Sequence, residues 1–471
     1  MRILIILGIT AGVLGAAELR PPIVDAAKAG NKVSLRTLLQ QKADVNATEP
    51  DGSSALHWAA HNDDAENADA LIRAGAKVNA VTDLGVTPLW LASENGSVAV
   101  VRRLLDAGAN PSMALLSGES ALMIAARGGY AEVAELLLAK GADINAHGTR
   151  GQTALMWAVS QKHPNVVKVL LAHKVNLSQK SDVWSEVMAI PPHGYLGYNK
   201  AIPHGGETAL MFAARVGDLE SMKLLVAAGA NVNDADAWGV SATVLAAHSD
   251  FTDMVLYLLD KGADPSKMDA GFSALQEAIL RRNETVVAAL LEHGANVNDT
   301  VKTWTPTRRS SEDYNFDPGL IGATPLWMAA RFSEPNVMRM LLKRGADPMF
   351  VHSITYVAEA GFGQVERQEK NSILMAAVGM GRAGNAWEDL PPAKREAATL
   401  EAVKILVDLG VDMNTAGLDG KMALDGARQL RFESVTSYLT EKGAKATTPA
   451  PTGGRGGRGG RGGQPAAAPA K

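Results

Sequence analysis

Gly52-Ser53-Ser54-Ala55-Leu56-His57-Trp58-Ala59-Ala60 is echoed 33 residues later by Gly85-Val86-Thr87-Pro88-Leu89-Trp90-Leu91-Ala92. The shared frame, Gly-x-Thr/Ser-x-Leu-x-x-Ala, starts again at Gly118 and Gly151, each a further 33 residues on. It resumes at Gly206 and Gly239, again 33 apart, then at Gly271 and Gly322, with weaker copies from Lys370 and Gly420. An N-terminal copy lacks the Gly, but Ile23-Val24-Asp25-Ala26-Ala27 lies 33 residues before Leu56-His57-Trp58-Ala59-Ala60. That makes eleven units, and a fixed period of this size means stacked units, none of which has a core of its own.

Each recurring residue has a physical task. Ser54, Thr87, Ser120, Thr153 and Thr208 precede apolar runs and are placed to N-cap a helix. Pro88 and Pro325 follow such a Thr at the first helical position, where no amide donor is needed. The pairs Ala125-Ala126 and Ala213-Ala214 favour helix and let neighbouring helices come close. A second helix follows, with apolar stripes Val100, Leu104, Leu105; Val133, Leu137, Leu138; and Val166, Leu170, Leu171. Gly75-Ala76-Lys77-Val78-Asn79 closes one unit and recurs from Gly141, Gly229 and Gly294. Its Gly suits a left-handed helix cap, and its Asn or Asp a turn.

These motifs resemble the ankyrin-repeat family, whose units open on Thr-Pro-Leu-His-x-Ala-Ala and close on Gly-Ala-Asp-Val-Asn. Thr87-Pro88-Leu89-Trp90-Leu91-Ala92, Thr324-Pro325-Leu326-Trp327-Met328-Ala329-Ala330 and the Gly-Ala series carry the likeness over roughly residues 19–445. The resemblance implies an all-α solenoid of about eleven helix-turn-helix units with short finger loops, and a surface for binding another protein. The family His survives as His57, replaced elsewhere by Trp90, Met123, Met156, Met211 and Trp327; Thr243 stands for a Leu, and Met422 for a capping Thr. Those departures bear on inter-repeat hydrogen bonding and on the stability of the end repeats.

Composition narrows the function classes. Of 471 residues, 46% are hydrophobic and 20% charged, as in a soluble globular protein. The body, 18–445, holds 41 basic and 50 acidic side chains, which argues against duplex nucleic acid as the partner. The absence of Cys excludes disulfides, thiolate metal sites and a Cys nucleophile. Met1-Arg2, the apolar run from Ile3 to Leu14 and small Gly15-Ala16-Ala17 read as a signal peptide over 1–17, so the chain is expected to be exported, periplasmic or secreted. No later segment reaches 18 apolar residues, so the mature chain is not expected to be an integral membrane protein, and a monomer is expected. The repeats are placed in 18–446, and 447–471, with its three Gly-Gly-Arg runs, is expected to be a disordered tail.

Four insertions break the period, at 182–205, 299–321, 349–369 and 379–395. The first three fall between a Gly-Ala cap and the next Gly-x-Ser/Thr, where the resemblance puts a finger loop. The fourth lies between two helices and is read as feeding a lengthened second helix from Ala393 to Leu409. Aromatics and Arg favour interfaces, so Trp184, Tyr195, Tyr198, Trp304, Arg308, Arg309, Tyr314, Phe316 and Tyr356 are expected to touch a partner; the alternative is that these loops bury their own aromatics. By register, the exposed ends of the first helices are His61, Asn62, Glu94, Asn95, Arg127, Arg215, His248, Arg331 and Phe332. Trp304, Arg308, Arg309 and Tyr314 are assigned as anchors, with Arg331 and Phe332 beneath them.

Catalytic readings are weaker. His57 and His61, with Asp63 and Asp64 nearby, have a metal-binding spacing, but the register makes His57 structural. Gly379-Met380-Gly381-Arg382-Ala383-Gly384 fits a dinucleotide motif by letter yet follows a helix, not a strand. Met123, Met156, Met211 and Met375 read as packing. No catalytic residue and no cofactor are expected. The competing function is an enzyme or small-ligand-binding protein whose site the insertions assemble.

Overall fold

The computed structural model describes residues 20–187, 201–305, 316–360, 363–381 and 390–447. The expected leader at 1–17 and residues 448–471 of the expected tail lie outside them. The described residues hold twenty-two α-helices in eleven consecutive pairs, one pair for each repeat read from the sequence. They fall into two compact units, one reaching residue 296 and including 301–305 and 316, the other made of 297–300 and the residues from 317 on. Repeats one to eight belong to the first unit and nine to eleven to the second.

First helices are short, such as Ala55–His61, Pro88–Glu94 and Ala121–Gly128; second helices such as Val98–Asp106 and Ala131–Ala139 run for nine residues. The caps act as their chemistry dictates. Thr87 Oγ1 accepts the Trp90 amide at 3.0 Å, and Ser120, Thr153 and Thr324 accept the equivalent amide at 3.3 Å. Thr208 departs from this: its hydroxyl is buried and makes no cap bond. Where Met422 replaces the capping residue, Asp425 reaches back to the Met422 amide at 3.0 Å.

The core lies between paired helices and between neighbouring repeats. Val100, Leu104, Val133, Leu137, Val166 and Leu170 are fully buried, as are Ala125-Ala126 and Ala213-Ala214. Gly75, Gly141, Gly229 and Gly294 all take φ near +90°, and the Ala76 amide closes back on the Leu71 carbonyl at 3.0 Å, which ends the helix on a left-handed glycine.

The Asn residues after these glycines do more than turn the chain. Asn79 donates to the Gly108 carbonyl at 3.1 Å and accepts the Asn110 amide at 2.8 Å. Asn46 and Asn233 make the same pair of bonds to the repeat that follows each. A local turn former thus also ties repeat to repeat.

Two antiparallel ribbons accompany the helices. β1 (Trp184–Val187) pairs with β2 (Ala201–His204) in the first insertion. β3 (Val351–Ala360) pairs with β4 (Gly363–Ser372) in the third, and β4 runs into the cap of the tenth repeat. Residues 306–315 of the second insertion and 382–389 of the fourth lie outside the described residues. The second helix of the tenth repeat runs for 17 residues from Pro392 to Asp408, in line with the lengthening expected there. Among the described residues, no helix is long and apolar enough to cross a membrane.

Candidate interaction surface

In the first helices the third residue after the cap is buried, and in several of them the fourth lies nearer the surface. The third is buried at His57, Trp90, Met123, Met156, Met211 and Trp327. The fourth is half-buried at Trp58, Leu91, Trp157 and Phe212, and buried at Ile124 and Leu245. An open groove of about 1120 Å³ joins Trp58, His61 and Leu91 to the finger residues Glu49, Asp51 and Leu84. At the finger tips Leu84 and Leu116 are 68% and 81% exposed, and the Leu116 amide donates to the Leu84 carbonyl at 3.1 Å, which sets the two tips side by side.

The aromatic rings carry cations. Lys28 Nζ lies 4.0 Å from the Trp58 ring centre, whose Nε1 donates to Glu49 Oε2 at 2.7 Å. The Arg127 guanidinium lies 5.4 Å from the Trp157 ring. Glu119 and Glu207 stand just before the caps Ser120 and Thr208 and ion-pair with Arg127 (3.0 Å) and Arg215 of their own repeats. Burial pushes the Glu119 carboxyl up; Arg127 opposes it.

In the seventh finger, Asp236 Oδ1 accepts the Trp238 and Val240 amides at 2.9 and 2.8 Å. Burial nevertheless pushes this carboxyl from 3.8 up to about 6, against the pull of those amides. The folded chain therefore holds this proton more tightly than the unfolded one. Its stabilising contribution is complete below pH 3.8 and is lost as pH rises through about 6. After allowance for partial exposure, the loss is about 1–2 kcal/mol. Asp236→Asn, which keeps an oxygen facing both amides, should flatten that part of the slope. Urea midpoints of both proteins across this range decide it, and parallel curves would sink the assignment.

The expected partner-binding residues divide into several groups. His61 and Glu94 are exposed; Arg127 is half-buried and Arg215 exposed, and both are paired as above. Asn62 and Asn95 are exposed, yet their amides cap the preceding first helix: Asn62 donates to the Ala27 and Lys28 carbonyls at 3.1 Å, and Asn95 to the His61 carbonyl at 2.6 Å. Trp184 is half-buried, stacked on His204 at 5.6 Å with Arg150 at 4.8 Å, and Trp304 is half-buried too.

Four assignments are corrected. Phe316 is fully buried with its ring 4.7 Å from Phe272. Phe332 is buried, and Tyr356 is buried with its hydroxyl on Glu369. His248 is buried beside the fully buried Glu277, Nδ1 to Oε2 3.2 Å. These side chains build the interior, where a partner has no access. Tyr195, Tyr198, Arg308, Arg309 and Tyr314 lie outside the described residues.

His57 has both ring nitrogens occupied: Nδ1 lies 2.8 Å from Ser54 Oγ and Nε2 lies 3.0 Å from the Val86 carbonyl of the next finger. Burial lowers its pKa, which keeps the ring neutral. Among the described residues, no three His, Asp or Glu side chains gather as metal ligands. What the sequence reading missed is the fourth position itself. Trp58, Leu91, Trp157 and Phe212 recur at one register, so large apolar side chains at a position turned to the surface were the available signal.

Comparison with known proteins agrees with this architecture. A family model described as "Ankyrin repeats (3 copies)" matches residues 23–114, 108–181 and 210–301, and a second, "Ankyrin repeat", matches 321–353. Among solved structures, the crystal structure of the human ASB11 ankyrin repeat domain is similar at 30% identity and a TM-score of 0.42, covering 52% of this chain and 99% of that one.

Proposed function

Because the chain belongs to the ankyrin-repeat family, we propose that it is a non-catalytic scaffold that binds a protein partner through the first-helix and finger-loop surface of repeats two to six, outside the cytoplasm. One observation carries this reading: large apolar side chains recur at the surface at a single register, beside finger tips that expose Leu84 and Leu116. Exposed leucines at adjacent tips cost solubility unless something covers them, and contiguous apolar patches rimmed by charge mark interaction sites. The half-buried Trp58 and Trp157 are preorganised by their cations and can anchor a contact at low entropic cost. The apolar run from Ile3 to Leu14 supports work outside the cytoplasm.

The test is affinity capture from the native cell envelope with the unaltered chain and a Leu84→Glu/Leu116→Glu variant. The partner should be held about ten-fold or more less tightly by the variant, whose helical signal stays unchanged because both residues are exposed. Equal retention would remove this surface from the reading. A specific partner found only among cytoplasmic proteins would overturn the assignment to the cell exterior.

A further inference from the structure

The arginine seven residues after the cap recurs in repeats four, six and nine as Arg127, Arg215 and Arg331. In the first two, a Glu directly before the cap neutralises it. In the ninth repeat that position is Ala323. Arg331 ends the helix Pro325–Arg331 and, among the described residues, makes no ion pair. Its Nη2 reaches the Gly381 carbonyl at a long 3.5 Å, and its Nε is buried without an acceptor. Burial, with Arg395 nearby, lowers its pKa, and the charges of Glu369 and Asp317 pull the other way. A guanidinium removed from water and short of acceptors has its charge poorly compensated.

This guanidinium lines an open pocket of about 970 Å³ between the β3–β4 ribbon, the turn at Gly379–Gly381 and the last finger. Four cations line it, Arg331, Arg367, Lys370 and Lys421, against three acids, Asp317, Glu369 and Asp419. Asp419 is held by Lys421 at 3.2 Å, and Glu369 by the Tyr356 hydroxyl and the Asn371 amide. Among the described residues, the lining therefore carries one more positive charge than negative. A dianion such as phosphate would meet Asp317 and Glu369 at close quarters, whereas one carboxylate supplies the missing charge and matches the flat guanidinium with two oxygens. We propose that this pocket binds a single carboxylate group, borne by a small organic acid or by the C-terminus of a peptide, with Arg331 as its anchor.

The test uses the full chain and four probes followed by ligand-observed NMR: acetate, N-acetyl-diglycine, the amidated form of that peptide, and inorganic phosphate. At least one carboxylate should bind saturably, the amide about ten-fold or more weaker, and Arg331→Gln should lose about the same factor. The stronger of acetate and peptide identifies the source of the carboxylate. Ala323→Glu puts a carboxylate where repeats four and six carry Glu119 and Glu207; Ala323 is fully buried, so the variant's helical signal is checked first, and the folded variant should block the probe from within. If Arg331→Gln fails to fold, the acid–amide comparison on the unaltered chain and the Ala323→Glu variant still decide. No saturable carboxylate binding, equal binding of acid and amide, tighter binding of phosphate, or full binding by Ala323→Glu would each overturn the proposal.

Discussion

Phe272→Ala should destabilise the first unit by about 3–5 kcal/mol, with Phe316→Ala close behind. Both rings are fully buried and 4.7 Å apart, and the Trp238 ring meets Phe272 edge-on at 5.6 Å. Truncating either leaves a cavity among side chains that neighbouring repeats hold in place, so little collapse can offset the loss. Phe316 also sits where the second insertion rejoins the fold: its amide donates to Thr305 Oγ1 at 2.9 Å, and the Thr305 amide returns a bond to its carbonyl at 3.0 Å. A double-mutant cycle should show a favourable ring–ring coupling of about 0.5–1.5 kcal/mol. Urea denaturation of the four proteins measures it. If Phe316→Ala cost only a few tenths of a kcal/mol, the ring would not be a core element and its assignment to a partner surface would revive.

Phe316 shows where sequence alone stopped. The repeats were legible because their signals are local: a glycine that must turn left-handed, a hydroxyl one residue before a helix, a proline at the first helical position. Each acts within a few residues, and eleven copies reinforce one another. Whether Phe316, Phe332 or Tyr356 faces water depends on what packs over it, which no neighbouring residue announces. The β3 strand was nearer to legible. His352, Ile354 and Tyr356 turn inward while Val351, Ser353 and Thr355 are exposed, an alternation present in the letters of the third insertion. The asparagine ties were half seen, as turns, because their second role needs the next repeat. The groove is legible only in part: the helix-end register gives His61, while the apolar fourth positions Trp58 and Leu91 beside it carry no motif of their own.

Trp327 puts the family's missing histidine to a direct test. At His57 the ring links its own cap to the next finger; at Trp327 an indole fills the same register, fully buried, with Nε1 lacking an acceptor and its ring 4.6 Å from His352. The chain has exchanged a hydrogen bond for packing volume, and the exchange should be measurable. Trp327→Ala should cost the second unit about 3–5 kcal/mol, the penalty for emptying the largest of its buried side chains. Trp327→Phe also loses volume, but it removes a buried donor that costs about 1–3 kcal/mol to leave unmet, so its net effect should stay within about 1–2 kcal/mol. The comparison is made above the ordinary histidine range, so that His352 stays neutral in it. Burial lowers its pKa, against the pull of the Ile321 carbonyl that its Nε2 meets at 2.8 Å, so the ring is neutral there in the unaltered protein. Denaturant unfolding followed by a probe in the second unit gives both differences. Equal losses for Phe and Ala would mean that the indole nitrogen finds a partner in solution, and that this repeat kept the polar link that the loss of its histidine appeared to remove.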